Sequence, residues 1–209
     1  MKTLELFCGT KSFSKVAKEY GYETLTLDFD NTFNPDIAKN IMDFYIQDLN
    51  GYRPDIIWAS PPCQKFSVAS LGRNWNKEDM TPKNDDTKKA MQIVLKTVQI
   101  IKDLKPKYFY IENPRAMLRK IGLIPYDYST VTYCQYGFHY MKPTDIWSNN
   151  EEWLKVAKSC KNGMPCHESA PRGSATGTQG LKNPAERGKI PPDLIKEILN
   201  YSKEEDNNE

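Results

Sequence analysis

Cys63 is the side chain in this sequence best placed to act as a nucleophile. It stands in Ala59-Ser60-Pro61-Pro62-Cys63-Gln64-Lys65-Phe66-Ser67, directly after the apolar run 55–59, which reads as a buried strand. Ligands of open α/β sheets bind outside the carboxyl ends of the strands, and two prolines at that edge stiffen the turn and remove backbone donors. A thiol there faces a cleft, and its thiolate can add to an electron-poor carbon. Glu112 ends a second such run, Tyr108-Phe109-Tyr110-Ile111-Glu112-Asn113-Pro114. This apolar setting favours the protonated carboxyl or demands a hydrogen-bonded partner, which suits acid catalysis; a structural glutamate bonded to turn amides is the alternative.

The first turn, Leu6-Phe7-Cys8-Gly9-Thr10-Lys11-Ser12-Phe13, holds one glycine and lacks the Gly-x-Gly-x-x-Gly pattern that lets a backbone approach a pyrophosphate. A cofactor without phosphates needs less. S-Adenosylmethionine would set its methionine end at Phe7, Cys8, Gly9, Thr10 and Phe13. Its ribose would meet a carboxylate at the second strand's end, and its adenine apolar side chains. Asp28 and Phe29, then Asp43 and Phe44, follow in that order, and Pro62 borders the same edge. For either aspartate alone, a strand-end or helix-cap role is the alternative.

These groups must be positioned by alternating elements. Residues 3–7 alternate as a strand, Ser12 or Ser14 can cap a short helix ending near Gly21, and 23–27 form a second strand. A long helix over 86–104 carries Val94, Leu95, Val98, Ile101 and Leu104 along one face. With strands at 56–59 and 108–112, the pattern predicts an α/β protein: a doubly wound, mostly parallel sheet with the reactive strand ends on one edge. Residues 128–133 and 144–147 are expected to pair antiparallel at the sheet's border. Beyond Asn149 the chain turns rich in Gly, Pro, Ser, Thr and Lys, with a last helix over 192–201. The expected organisation is a catalytic domain over 1–149, a small irregular C-terminal lobe over 150–190, and a helix with an acidic tail over 191–209.

The 209 residues allow one sizeable core, and 39% hydrophobic with 11% aromatic content fits a soluble globular protein. No apolar run has the length of a membrane span, and the chain opens on a strand pattern instead of a signal, so a cytoplasmic location is expected. Five cysteines in such a chain should be reduced thiols. Cys160, Cys166 and His167, with Cys134 and His139 upstream, have ligand chemistry for structural zinc. Yet the Cys-x-x-Cys knuckle is absent and an adjacent Cys-His pair is awkward, so no metal is expected. The net charge of +2 alone favours a solvated surface over a nucleic-acid site.

Together the motifs resemble the DNA cytosine-5 methyltransferase family over residues 3–149. Leu6-Phe7-Cys8-Gly9 is similar to its first motif, Pro62-Cys63-Gln64 with Phe66-Ser67 to its nucleophile motif, and Glu112-Asn113-Pro114 to its Glu-Asn-Val motif. Tyr136-Gly137 and Lys142-Pro143-Thr144-Asp145-Ile146-Trp147 follow in order. The resemblance implies a Rossmann-like methyltransferase fold, S-adenosylmethionine converted to S-adenosylhomocysteine, and a DNA partner. It further implies a compact enzyme of the phage and restriction-modification kind. Catalysis would rest on Cys63 and Glu112, with Lys142 where the family has an arginine pair; lysine supplies charge but no planar fork. The target-recognition region is reduced.

By this resemblance Cys63 adds to C6 of a cytosine flipped from the duplex, Glu112 bonds N3, and the methyl passes to C5. Gln64, Lys65, Ser67 and Arg73 lie on a mobile-looking loop that would close behind the base, with Trp75 as wedge. Arg172, Ser174 and Thr176 would grip phosphates. Other readings are an amino methyltransferase, since Ser-Pro-Pro can hold an exocyclic amine; an RNA cytosine-5 enzyme; and a subunit of a split enzyme that needs a partner chain or a homodimer.

Overall fold

The computed structural model describes residues 1–169 and 183–203. Seven strands form one sheet: β1 (Lys2–Leu6), β2 (Glu23–Asp28), β3 (Ile37–Ala38), β4 (Ile56–Ala59), β5 (Tyr108–Pro114), β6 (Tyr128–Thr132) and β7 (Pro143–Ser148). Their order is β3-β2-β1-β4-β5-β7-β6. The first five run parallel, and β7 is antiparallel to both its neighbours. The doubly wound sheet and its antiparallel border are those expected.

The register explains why the chemistry collects on one edge. Leu6 pairs with Leu27 and with Ala59, and Ala59 pairs with Ile111, so four strands reach a common rung. The residues that follow it are Asp28, Phe7, Ser60 and Glu112. The chain winds outward from β1 to β3 and then returns to β4, which puts the topological switch between β1 and β4, where doubly wound sheets open a ligand crevice.

Period-two alternation gives the strands two apolar faces. Ile57, Ala59, Phe109 and Ile111 pack with Val94, Val98 and Ile101 of α2 (Asp85–Leu104). Ile56, Trp58, Tyr108 and Tyr110 face the other way, against Phe13, Val16 and Ala17 of α1 (Ser12–Glu19). Leu194, Ile195, Ile198 and Leu199 join this second core from the last helix, which spans Pro192–Tyr201. All four are fully buried, a gross stabilisation of roughly 6–12 kcal/mol from apolar burial alone. Trp153, on the helix Glu151–Val156, meets Tyr110 edge-on at 5.5 Å, so side chains from beyond Asn149 complete the core under the sheet.

The α1 N-terminus departs from expectation. Neither Ser12 nor Ser14 caps it; Lys11 takes a left-handed conformation at the cap position without a side-chain bond. Instead the buried Glu5 carboxylate, on β1, accepts from the Phe13 and Ser14 amides at 3.2 and 2.9 Å. Among the described residues no helix is long and apolar enough to cross a membrane.

Candidate active site

The turn after β1 is tight and open above. The Cys8 amide bonds Leu27 O at 3.1 Å, and Phe7 and Gly9 have φ of 59° and 44°. A Cβ built on Gly9 would meet no atom within 4 Å, so free space lies over this backbone. Asp28, 6% exposed, accepts from the Gly9 amide through Oδ2 (2.9 Å) and from the Asp30 amide through Oδ1 (3.0 Å). Its first task is therefore to hold the two turns together. Beside it the Phe29 ring stands 71% exposed, an apolar plate facing solvent. Thr10 Oγ1 lies 3.3 Å from Ser12 Oγ, and Asp43 is exposed at the end of the 3-10 turn Ile41–Asp43.

Three of the residues expected to touch a cofactor are sealed. Phe13 is fully buried and stacked on Trp58 at 5.3 Å, and Phe44 is fully buried in the core under β1 and β2. Their side chains back the wall of the crevice and have no surface to offer a ligand. The Cys8 thiol is buried too, and burial first, then Glu5 and Asp28, push it up to about 12, which leaves it inert.

Cys63, half-buried, opens the loop after β4. Its carbonyl accepts from the Phe66 and Ser67 amides at 3.0 and 3.1 Å, which folds the chain back on itself. Phe66 is fully buried, and its carbonyl takes the Met117 amide at 3.0 Å, fastening the loop to the helix Met117–Ile121 that follows β5. The Asn113 side chain donates through Nδ2 to Pro61 O at 2.9 Å. This bond ties the strand end that carries Glu112 to the turn that carries Cys63. Burial first, then the Glu112 carboxylate, raise the Cys63 thiol above its usual value, and Lys142 and Arg187 oppose them.

Glu112 is 5% exposed, and Tyr133, fully buried, donates its hydroxyl to Oε1 at 2.9 Å. The partner that a buried carboxyl needs is thus a tyrosine from the 3-10 turn Tyr133–Tyr136, which follows β6. Burial and the neighbouring carboxylate hold Tyr133 well above the usual tyrosine value, so it stays a donor. Lys142 is buried as well. Its Nζ lies 3.7 Å from Glu112 Oε1, 3.4 Å from Tyr133 Oη, and donates to Arg187 O at 2.9 Å. Neither Tyr133 nor Arg187 was singled out in the sequence. Tyr133 carried a faint signal, an aromatic residue with a hydroxyl closing an apolar strand; the Arg187 contact spans 45 positions and had none.

The loop 64–80 is packed more closely than its composition suggests. Trp75, expected as a wedge, is 1% exposed, packs on Phe66 at 5.9 Å and donates its indole N–H to Lys65 O at 2.7 Å. It is the loop's anchor, not its tip. Gln64 and Arg73 are exposed, Ser67 is half-buried, and Lys65 pairs with Asp86 at 3.5 Å. Pro62 is half-buried beside Cys63. Arg172, Ser174 and Thr176 lie outside the described residues. Spacing argued against a metal centre, yet Cys134, Cys160, Cys166 and His167 place their ligand atoms within 4.8 Å of one another, with His139 outside the group.

Solved methyltransferase structures share this fold. The Entamoeba histolytica methyltransferase EhMeth superposes with a TM-score of 0.54 at 15% identity, over 71% of this chain and 52% of its own, so this chain spans about half its length. A protein described as a putative DNA modification methyltransferase encoded within an E. coli prophage gives 0.51 at 15% identity, over 96% and 69%. The fold is thus the Rossmann-like one of methyltransferases. Residues 1–122 match the family model of C-5 cytosine-specific DNA methylases. A Frog virus 3 (isolate Goorha) protein, named a probable DNA (cytosine-5)-methyltransferase, is 30% identical over 95% of this chain and 99% of its own. The type II methyltransferase M.HgiGI of Herpetosiphon aurantiacus is 29% identical over 58% of this chain and 97% of its own. The chain belongs to the C-5 cytosine-specific DNA methylase family and is an enzyme of that class.

Proposed function

We propose that this chain methylates C5 of a cytosine flipped out of duplex DNA, through a covalent bond between Cys63 and C6. The observation that carries the reading is the joining of two strand ends: Cys63 beyond β4 and Glu112 on β5, locked together by the Asn113 bond to Pro61 O.

The edge fits S-adenosylmethionine. Phe7, Cys8, Gly9 and Thr10 offer a bent backbone with open space above it, Asp28 and Asp43 offer carboxylates, and the exposed Phe29 ring with Pro62 offers apolar surface. When bound, S-adenosylmethionine supplies an electrophilic methyl group on a sulfonium and departs as S-adenosylhomocysteine.

C5 of cytosine is a poor nucleophile until electrons are pushed into the ring. Cys63, held largely as the thiol, passes its proton to the neighbouring Glu112 carboxylate as sulfur adds to C6, which gives C5 enamine character. Glu112 delivers a proton to N3 and takes it back when the ring is restored, while Tyr133 and Lys142 fix its orientation. After methylation the C5 proton leaves to a base, the C5–C6 double bond re-forms and the Cys63–C6 bond breaks. C5 and C6 are inaccessible within a stacked duplex, so the base must leave the helix; Gln64, Lys65, Ser67 and Arg73 line the loop beside the nucleophile.

The test is transfer of labelled methyl from S-adenosylmethionine to duplex DNA by the purified chain, with nucleoside analysis of the product. 5-Methylcytosine is expected, and DNA containing 5-fluorocytosine should form an adduct stable to denaturation, because fluorine cannot leave C5 as a proton does. Cys63→Ser should lose both signals and keep cofactor binding; Glu112→Gln should lose most of the rate. N4-methylcytosine or N6-methyladenine as product, or turnover by Cys63→Ser, would refute the mechanism.

A further inference from the structure

The segment 158–169 crosses the end of β6 with no hydrophobic core of its own. None of its residues is buried, and residues 161–166 are all exposed. Backbone bonds hang it on the sheet: Thr132 N to Lys158 O at 3.1 Å, Cys160 N to Thr132 Oγ1 at 2.9 Å, and Glu168 N to His139 O at 2.7 Å. Cysteine and histidine side chains gather where these bonds converge. Cys134 comes from the turn after β6, and Cys160, Cys166 and His167 come from the crossing segment.

We propose that Cys134, Cys160, Cys166 and His167 bind one structural zinc ion, which fastens the small lobe to the catalytic sheet. Zinc bonds thiolate at about 2.3 Å and imidazole at about 2.0–2.1 Å, so a tetrahedral site has edges of about 3.8 Å between sulfurs and about 3.5 Å between sulfur and nitrogen. Cys134 and Cys166 are 3.8 Å apart, and His167 Nδ1 lies 3.6 Å from Cys160 and 3.5 Å from Cys166. The Cys134–Cys160 edge is shorter, 3.2 Å, though far beyond the roughly 2.05 Å of a disulfide. The neighbouring Cys166 and His167 are not an awkward pair, because the chain turns to point both side chains inward at one edge of the tetrahedron.

The histidine adds a second reason. Its Nε2 is buried without a hydrogen-bond partner among the described residues, and Nδ1 meets only the two thiols. Thiols are weak hydrogen-bond partners, so ligation through Nδ1 accounts for the placement of the ring better than these two contacts do. Four protein ligands close the coordination shell, which marks a structural site with no open position for catalysis. A segment without buried apolar side chains is the kind that metal binding stabilises. One residue before Cys134 stands Tyr133, the donor to Glu112, so the metal would anchor the turn that orients the acid.

The test is metal content of the full chain, purified without chelator, by mass spectrometry of the elements. One zinc ion per chain is expected. Replacement by Co(II) should give the strong visible bands of a tetrahedral thiolate complex, which octahedral cobalt lacks. Cys166→Ser and His167→Ala should lose zinc, and Cys63→Ser should keep it. Cys166 is exposed, so that variant remains informative if Cys134→Ser fails to fold. Zinc far below one equivalent with Co(II) bands absent, or a Cys134–Cys160 disulfide in the protein as isolated, would overturn the proposal.

Discussion

Tyr133→Phe removes one oxygen and nothing else from the centre of the site. The lost hydroxyl donates to Glu112 Oε1 at 2.9 Å and lies 3.4 Å from Lys142 Nζ, in surroundings from which water is excluded. A hydrogen bond to a charged or acidic group contributes about 1.5–3 kcal/mol, more than a neutral pair, and the phenyl ring keeps the packing against Phe138 at 5.8 Å. If the bond holds Glu112 in the orientation that meets N3, its loss falls on the transition state. The single-turnover methylation rate should then drop roughly 10–150-fold at 1.36 kcal/mol per decade. Affinities for S-adenosylmethionine and for DNA should stay within about twofold, because the hydroxyl faces the acid and not the cofactor turn. Rapid-quench turnover with saturating DNA and cofactor separates the two effects. An unchanged rate in a folded protein would mean that Tyr133 only fills space, and the account of how Glu112 is positioned would fail.

Two further substitutions probe the nucleophile. Alkylation of Cys63 by iodoacetamide should be slow at neutral pH and rise towards alkaline pH beyond the ordinary thiol value of about 8.5, and Lys142→Gln should move the inflection higher by removing a cation that favours the thiolate. A faster reaction in Lys142→Gln would contradict this electrostatic assignment. Asn113→Ala leaves Pro61 O without its donor at a cost of about 1–3 kcal/mol, so the melting midpoint should fall by roughly 3–10 °C and methyl transfer should slow while cofactor still binds. Equal midpoint and equal rate would show that the two strand ends hold their places without this bond.

The sequence displayed those parts of the fold that repeat locally. Strand ends at Asp28, Ala59 and Glu112 were visible because apolar runs stop there at polar or Pro-rich residues, and a parallel sheet must then bring them to one edge. The last helix was visible as the stretch from Pro192 to Tyr201 that follows the Gly- and Pro-rich segment. What stayed hidden depends on contacts between distant segments. Glu5 looked like the polar member of an alternating strand, but β1 lies at the middle of the sheet with both faces covered, so its carboxylate had to find partners and found the amides of α1. Trp75 in a basic loop suggested a wedge, yet an indole so close to Phe66 gains more by burial than by exposure. The closeness of Cys134, Cys160, Cys166 and His167 eluded spacing rules because Cys134 and Cys160 meet across the sheet border and not along a knuckle.

The buried Glu5 also sets a pH dependence whose sign follows from its environment. Burial raises its folded-state pKa from 4.5 to about 7, against the opposing pull of its bonds from Ser14 and Phe13. Between those values the folded protein keeps a proton that the unfolded chain has released, so the stabilisation is complete below pH 4.5 and is lost as pH rises towards 7. The loss is about 3 kcal/mol at 1.36 kcal/mol per unit, with the bonds from both amides already included in that pKa. Glu5→Gln cannot titrate there, and its carbonyl can replace only part of the cap. The difference in urea-unfolding free energy, wild type minus variant, should therefore shrink by up to that amount between pH 5 and pH 8, with all other titrating groups cancelling. A difference that stays flat would place Glu5 in a solvated setting, and the explanation of how α1 starts without a serine cap would fall with it.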